Sequence, residues 1–348
     1  LSTIRERLEE SQVPIYFVAV VVAALAAFLV QGTAALEVAI NPALAFMLFV
    51  TFLQVPLAEL GKAFSRFKFL GVLLLTNFVI IPCIVGVLVQ FLPGDPMLRL
   101  GVLLVLLAPC IDYVVTFSHL GRADSRLLLA ATPILLIVQM IALPIYLGFL
   151  LGKDAASLVQ AEPFLHAFVW LIASPLALAI TVQCWAKTNR FGEKISAVLG
   201  FLPVPATSLV LFVVVASVLP QLGSATGAAL TVFPVYAVFA VLAPFAGWLA
   251  GRMFGLSPTE GRAIAFSAST RNSLVVLPLA LAVPGAVPVL PTVIVTQTLV
   301  ELLSQLVYVR VMPLLGRSLE ASKSEQNRQR QEDRELGTSL PRKRQPRS

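Results

Sequence analysis

Apolar residues run along this chain in stretches too long and too continuous to be one buried stripe of a water-soluble helix. Crossing a hydrocarbon layer of about 30 Å takes about 20 apolar residues in a helix. Stretches near that length fall at about 13–31, 41–60, 69–92, 97–119, 126–152, 163–186, 197–219, 228–251, 258–283 and 288–315. The pattern predicts an all-α membrane protein with ten transmembrane helices. Two stretches are interrupted at mid-depth by polar and charged residues, Ala108-Pro109-Cys110-Ile111-Asp112 in the fourth and Ser269-Thr270-Arg271-Asn272-Ser273 in the ninth. A charge at that depth costs at least roughly 2.5 kcal/mol, so such residues face a partner, a cavity or a solute path. Interrupted spans at matching places in two halves of a chain point to a transporter's binding site.

The positive charges test this count, because cytoplasmic loops carry the excess of Lys and Arg. Alternate loops hold Arg5 and Arg7; Lys62, Arg66 and Lys68; Arg122 and Arg126; Lys187, Arg190 and Lys194; Arg252 and Arg262. The intervening loops are nearly bare, with Arg99 and Lys153 as exceptions. This places both termini in the cytoplasm, in a bacterial cytoplasmic membrane.

The first five stretches lie in near-constant register with the last five, their start offsets rising from about 150 to about 162 residues. The chain therefore reads as two five-helix repeats, 1–152 and 163–315, joined by an extracellular connector at 153–162. Five is odd, so the second copy is inverted, with the broken fourth and ninth helices crossing. In this register Cys110 falls opposite Arg271, and Gln139 opposite Glu301. Proline at 109 disfavours helix at Ala108 and removes a donor. Ser257-Pro258-Thr259-Glu260 has the spacing of a capping box at the start of the ninth span.

Composition agrees: 58% of the 348 residues are hydrophobic, 12% are charged, and mean hydropathy is +0.91. Membrane topology accounts for the formal charge of +7, and nucleic acid is not called for. Residues 316–348 are polar and read as a disordered cytoplasmic tail whose Pro341-Arg342-Lys343-Arg344 run is suited to anionic lipid. No cleavable signal is expected before the first span, although the chain begins with Leu1 rather than methionine. Cys83, Cys110 and Cys184 lie far apart within spans, which argues against a disulfide framework. His119 and His166 show no metal spacing, and no Walker loop, metal cluster, cofactor motif or catalytic triad is present, so an enzyme is not indicated.

The candidate site residues follow from the interrupted spans. Glu301 lies in the tenth span with Gln297 and Gln305 one turn to either side, so all three share one helical face, with Thr296 nearby. Glutamines alone satisfy an interhelical hydrogen-bond stripe; an ionisable group adds cost and so implies function. Asp112 and Arg271 either pair as a clasp across the helix crossing, or Arg271 meets an anionic solute and Asn272 lies beside it. With Asp112, Glu301 and Arg271 ionised the site carries one net negative charge, which one proton or sodium ion neutralises. Cys110 follows the proline break and offers a soft thiolate to a solute, whereas Cys83 and Cys184 read as packing residues. Thr76, Asn77 and Gln139 complete the polar inventory, either lining the cavity or bonding between helices.

At Ala108-Pro109-Cys110, around Leu299-Val300-Glu301-Leu302 and, more weakly, at Asn77-Phe78-Val79-Ile80-Ile81-Pro82, the chain resembles the arsenical-resistance efflux permeases of the bile acid:sodium symporter superfamily. That resemblance implies export of trivalent arsenic in exchange for protons, with roles for Cys110 and Glu301. Two departures stand out: Asp112 replaces a small or neutral residue, and Arg271-Asn272 replaces a pair of asparagines. Arsenite is a neutral hydroxide and needs no such charges. Two readings follow, a secondary transporter exporting arsenite or antimonite, and a sodium- or proton-coupled carrier of a small organic anion held by Arg271.

Overall fold

The computed structural model describes residues 7–8, 11–54, 66–111, 113–150, 169–281, 283–286 and 288–316. Asp112, the 153–162 connector, His166 and the tail beyond Gly316 lie outside the described residues.

Among the described residues the chain is helical, without strands. The helices are α1 (Gln12–Leu29), α2 (Ile40–Gln54, continuing a 3-10 segment from Thr33), α3 (Phe67–Phe91), α4 (Pro96–Leu106), α5 (Val114–Leu120), α6 (Ser125–Leu150), α7 (Ser174–Thr188), α8 (Arg190–Leu199), α9 (Pro203–Val218), α10 (Ala225–Met253), α11 (Pro258–Ser269), α12 (Ser273–Leu281) and α13 (Val289–Val311). Among the described residues five helices are long and apolar enough to cross a membrane, or six if α8 and α9, bent by 43°, count as one span. The predicted fourth and ninth spans fail that test for a physical reason: each is cut into two short helices, α4 and α5, and α11 and α12.

The outward faces show the solvent. On α6, Ile137, Ile141, Ile145 and Phe149 form one stripe that is 58%, 63%, 63% and 85% exposed, while Leu128, Ala131, Leu135, Gln139 and Leu143 face inward. An exposed apolar stripe opposite a face that buries an amide is the arrangement of a helix in lipid. Cys83 and Cys184 are exposed, so neither is the interior packing residue expected from sequence; Cys110 alone of the three is buried.

Internal prolines remain possible because other groups take up the carbonyls they release. Pro82 has no N–H for the carbonyl of Phe78, four residues before it, and α3 runs as a π turn from Thr76 to Ile80 at this place. The Tyr146 hydroxyl of α6 donates to that carbonyl at 2.5 Å. Pro244 releases the carbonyl of Ala240 in the same way, and the Tyr308 hydroxyl of α13 donates to it. The same three-residue device thus occurs twice, each member displaced by 162 positions.

Backbone contact is closest between α10 and α11. A Cβ added at Gly251 would lie 2.9 Å from the Gly261 Cα, and one at Gly247 would lie 2.8 Å from the Ala268 Cβ. Small residues at this spacing let two helices pack without water-driven association. They hold α11, and the break that follows it, against α10.

Candidate functional site

Helix α4 starts firmly, with Asp95 accepting from the N–H groups of Met97 at 2.8 Å and Leu98 at 3.3 Å ahead of Pro96. It stops at Leu106, three residues before Pro109, as expected of a chain approaching a residue that cannot continue it. Helix α11 opens on the predicted capping box, with the Ser257 hydroxyl accepting from Glu260 N–H at 3.3 Å and the Glu260 carboxylate accepting from Ser257 N–H at 2.9 Å. Arg66 adds an ion pair to Glu260 at 2.5 Å. Helix α11 ends at Ser269, and the chain is extended through Thr270 and Arg271.

The two extended breaks meet. Pro109 and Arg271 form an antiparallel bridge in which Cys110 N–H donates to Thr270 C=O at 3.0 Å and Asn272 N–H donates to Ala108 C=O at 2.8 Å. Exchanging the two segments carries one hydrogen bond onto the other, with Pro109 and Arg271 at the centre. The residue facing Arg271 is therefore Pro109, and Cys110 corresponds to Asn272, one residue away from the register expected from span starts. Uncertainty in helix ends, inherent in reading apolar stretches, accounts for the slip.

Glu301 reaches this crossing from α13. Its carboxylate accepts from the Arg271 N–H at 2.8 Å, from Gln297 Nε2 at 2.5 Å and from the Tyr113 hydroxyl at 2.6 Å. The Tyr113 hydroxyl also lies 3.2 Å from the Arg271 carbonyl. Gln305, on the same face of α13, donates to the Thr270 hydroxyl at 2.7 Å. Glu301 and Gln305 thus bind the extended segment and Gln297 holds Glu301, which takes the Arg271 N–H that in a bilayer has no water to bond.

The Arg271 side chain is fully buried. Its guanidinium donates to Ser267 C=O and Ala268 C=O at 2.6 Å, to Asn77 Oδ1 at 3.0 Å and to Leu106 C=O at 3.3 Å. The Phe239 ring lies 5.7 Å from it, within cation–π range. Asn77, in the π turn of α3, is oriented by donating to Leu73 C=O at 3.1 Å and the Ser267 hydroxyl at 2.9 Å.

The remaining predicted residues divide. Cys110 is fully buried beside the crossing, contrary to the expected accessibility. Asn272 caps α12 through its side-chain oxygen, at 3.3 Å from Val275 N–H, and leaves its amide nitrogen unpartnered. Gln139 is buried with both amide atoms unpartnered, as are the hydroxyls of Thr76 and Ser273. Glu301, by contrast, takes the N–H of Arg271.

Sequence reasoning missed Tyr113, Phe239 and Ser267. Tyr113 sits at the first turn after the fourth-span break, where a hydroxyl faces the crossing; its place before α5 was the available signal. A small, partly open cleft of about 50 Å³ lies beside the break and is lined by Ile111, Phe52, Leu136, Leu176 and other apolar residues, with Thr51, Thr132 and Gln183 as polar points.

An all-helical chain with lipid-facing stripes and a buried polar crossing of unwound segments is an integral membrane protein built to pass solutes. The sequence profile of the Sodium Bile acid symporter family matches residues 41–225, more than half the chain, and the protein belongs to that family of transporters. The match ends at the first residue of α10, so Arg271 and Glu301 fall outside it. No individual curated protein matches the chain.

Proposed function

We propose that the protein is a secondary transporter that exports trivalent arsenic, as arsenite or antimonite, in exchange for protons across the bacterial cytoplasmic membrane. In this reading the chain crosses the membrane ten times with both termini cytoplasmic, as two inverted repeats, 1–152 and 163–315, that rock about the crossing of the fourth and ninth spans. The repeated proline–tyrosine device at a 162-residue displacement and the exchange-symmetric hydrogen bonds at the bridge support the repeat. Cys110 supplies the soft contact to arsenic and Glu301 the carboxylate that takes up and releases the proton, with Gln297 and Tyr113 holding it. Asn77, Gln139, Asp112 and Asn272 complete the polar surroundings.

The observation that carries this reading is the state of Arg271. Its two terminal nitrogens are enclosed and bonded to four protein oxygens, which leaves only the buried Nε–H without a partner, so the head of the guanidinium is already engaged, and a neutral hydroxide needs no such partner. The alternative, a sodium- or proton-coupled carrier of a small organic anion, draws support from the cleft at Ile111, whose walls suit a solute with an apolar body.

Arsenite accumulation in efflux-deficient cells separates the two. Wild-type protein lowers accumulation, and Cys110→Ser and Glu301→Gln, expressed at equal levels, do not. Unchanged accumulation with well-expressed wild type would refute the arsenic assignment and favour the organic anion.

A further inference from the structure

The last carbonyls of a helix have no intrahelical partners and carry, together with the aligned peptide dipoles, roughly half a negative charge. Here two such ends converge. Leu106 is the final residue of α4, and Ser267 and Ala268 lie in the last turn of α11. Their carbonyls, with Asn77 Oδ1 from α3, form a four-oxygen cage sealed from solvent. Two helix ends supply roughly one unit of negative charge to it. In a low-dielectric interior that charge is costly without a cation.

We propose that the Arg271 guanidinium is a resident counter-ion, a tethered cation filling a cage whose oxygens would otherwise hold a small monovalent cation from solution. The ligands are the ones a hard cation takes, neutral carbonyl and amide oxygens. The two terminal nitrogens of the guanidinium meet all four oxygens, three of them sharing the two Nη2 hydrogens, while Nε–H stays buried without a partner and the Phe239 ring lies 5.7 Å from the group. Because the charge is covalently attached, it neither dissociates nor is transported, and sodium has no place in this cage during the cycle. Arg271 is then a positioning residue: it fixes the ends of α4 and α11 relative to each other, while its own backbone N–H is left for Glu301. This inference is independent of which solute is carried.

Removal of the side chain turns the cage into a binding site for a free cation, which gives the test. Purified full-length Arg271→Ala is melted in detergent, without any solute, in guanidinium chloride at millimolar concentrations, sodium chloride, potassium chloride or tetramethylammonium chloride. The expected result is a lowered melting temperature that guanidinium or an alkali cation restores saturably, with no restoration by tetramethylammonium, too bulky for the cage, and no response of the wild type. Absence of any saturable, cation-specific recovery, or an equal response of the wild type, overturns the proposal. Should Arg271→Ala not accumulate in membranes, Arg271→Lys and Arg271→Gln decide. Lysine keeps the charge, and glutamine keeps hydrogen-bond donors without it. A tethered cation requires the lysine variant to be the more stable of the two, and the reverse order overturns it.

Discussion

Removing the Glu301 carboxylate should unfold the crossing in a way that its amide does not. In Glu301→Ala, Arg271 N–H and Gln297 Nε2 lose their acceptor, while the Tyr113 hydroxyl keeps the Arg271 carbonyl 3.2 Å away. Each buried donor left without a partner costs about 1–3 kcal/mol, so the two together cost about 2–6 kcal/mol. Interhelical hydrogen bonds in membranes average only about 0.6 kcal/mol, which places the expectation at the lower end of that range. In Glu301→Gln the amide oxygen can keep both donors and the amide nitrogen can donate to the Tyr113 hydroxyl, so only charge assistance is lost, about 1 kcal/mol. Melting of the purified variants in detergent should therefore rank wild type above Gln and Gln well above Ala. An alanine variant as stable as the glutamine variant would show that Glu301 does not hold the extended segment, and the site geometry derived above would fail.

The paired tyrosines give a symmetric prediction: Tyr146→Phe and Tyr308→Phe each leave one proline-released carbonyl without its donor and should each lower stability by about 1 kcal/mol in the same melting assay. Gly251→Ala places a methyl 2.9 Å from the Gly261 Cα, and such overpacking of backbone on backbone should cost roughly 1–3 kcal/mol and lower folded yield by size-exclusion chromatography. Glu260→Ala removes the glutamate half of the capping box of α11, leaving the Ser257 N–H without its acceptor while the Ser257 hydroxyl keeps its backbone bond, a loss of about 1 kcal/mol, whereas Arg66→Ala, at an exposed ion-pair partner, should shift the melting temperature far less.

Much of this site was legible as departures from apolar monotony. Pro109 and the 269–273 polar cluster marked the breaks because a bilayer leaves irregular backbone few alternatives, and the breaks do meet. The Gln297/Glu301/Gln305 stripe was legible from helical spacing, and all three residues bond at the crossing. What spacing does not give is distance between segments far apart in the chain. Asn77 appeared as one polar residue among several, and only packing of α3 against α11 makes its oxygen an acceptor for Arg271. Arg271 itself was read as half of a clasp or as a solute contact, because carbonyl acceptors are invisible in a side-chain inventory. The Tyr146 and Tyr308 contacts were in principle accessible, since Pro82 and Pro244 share their 162-residue displacement. Span starts alone, being imprecise by a few residues, did not single that register out.

The central claim is that the crossing of the two breaks is where solute and proton exchange. Its most direct test is arsenite uptake into everted membrane vesicles under an imposed proton gradient, acid inside, with wild type, Cys110→Ser and Glu301→Gln. Wild type should accumulate arsenite along the gradient, and both folded variants should not. Accumulation by Glu301→Gln equal to that of the wild type would contradict it.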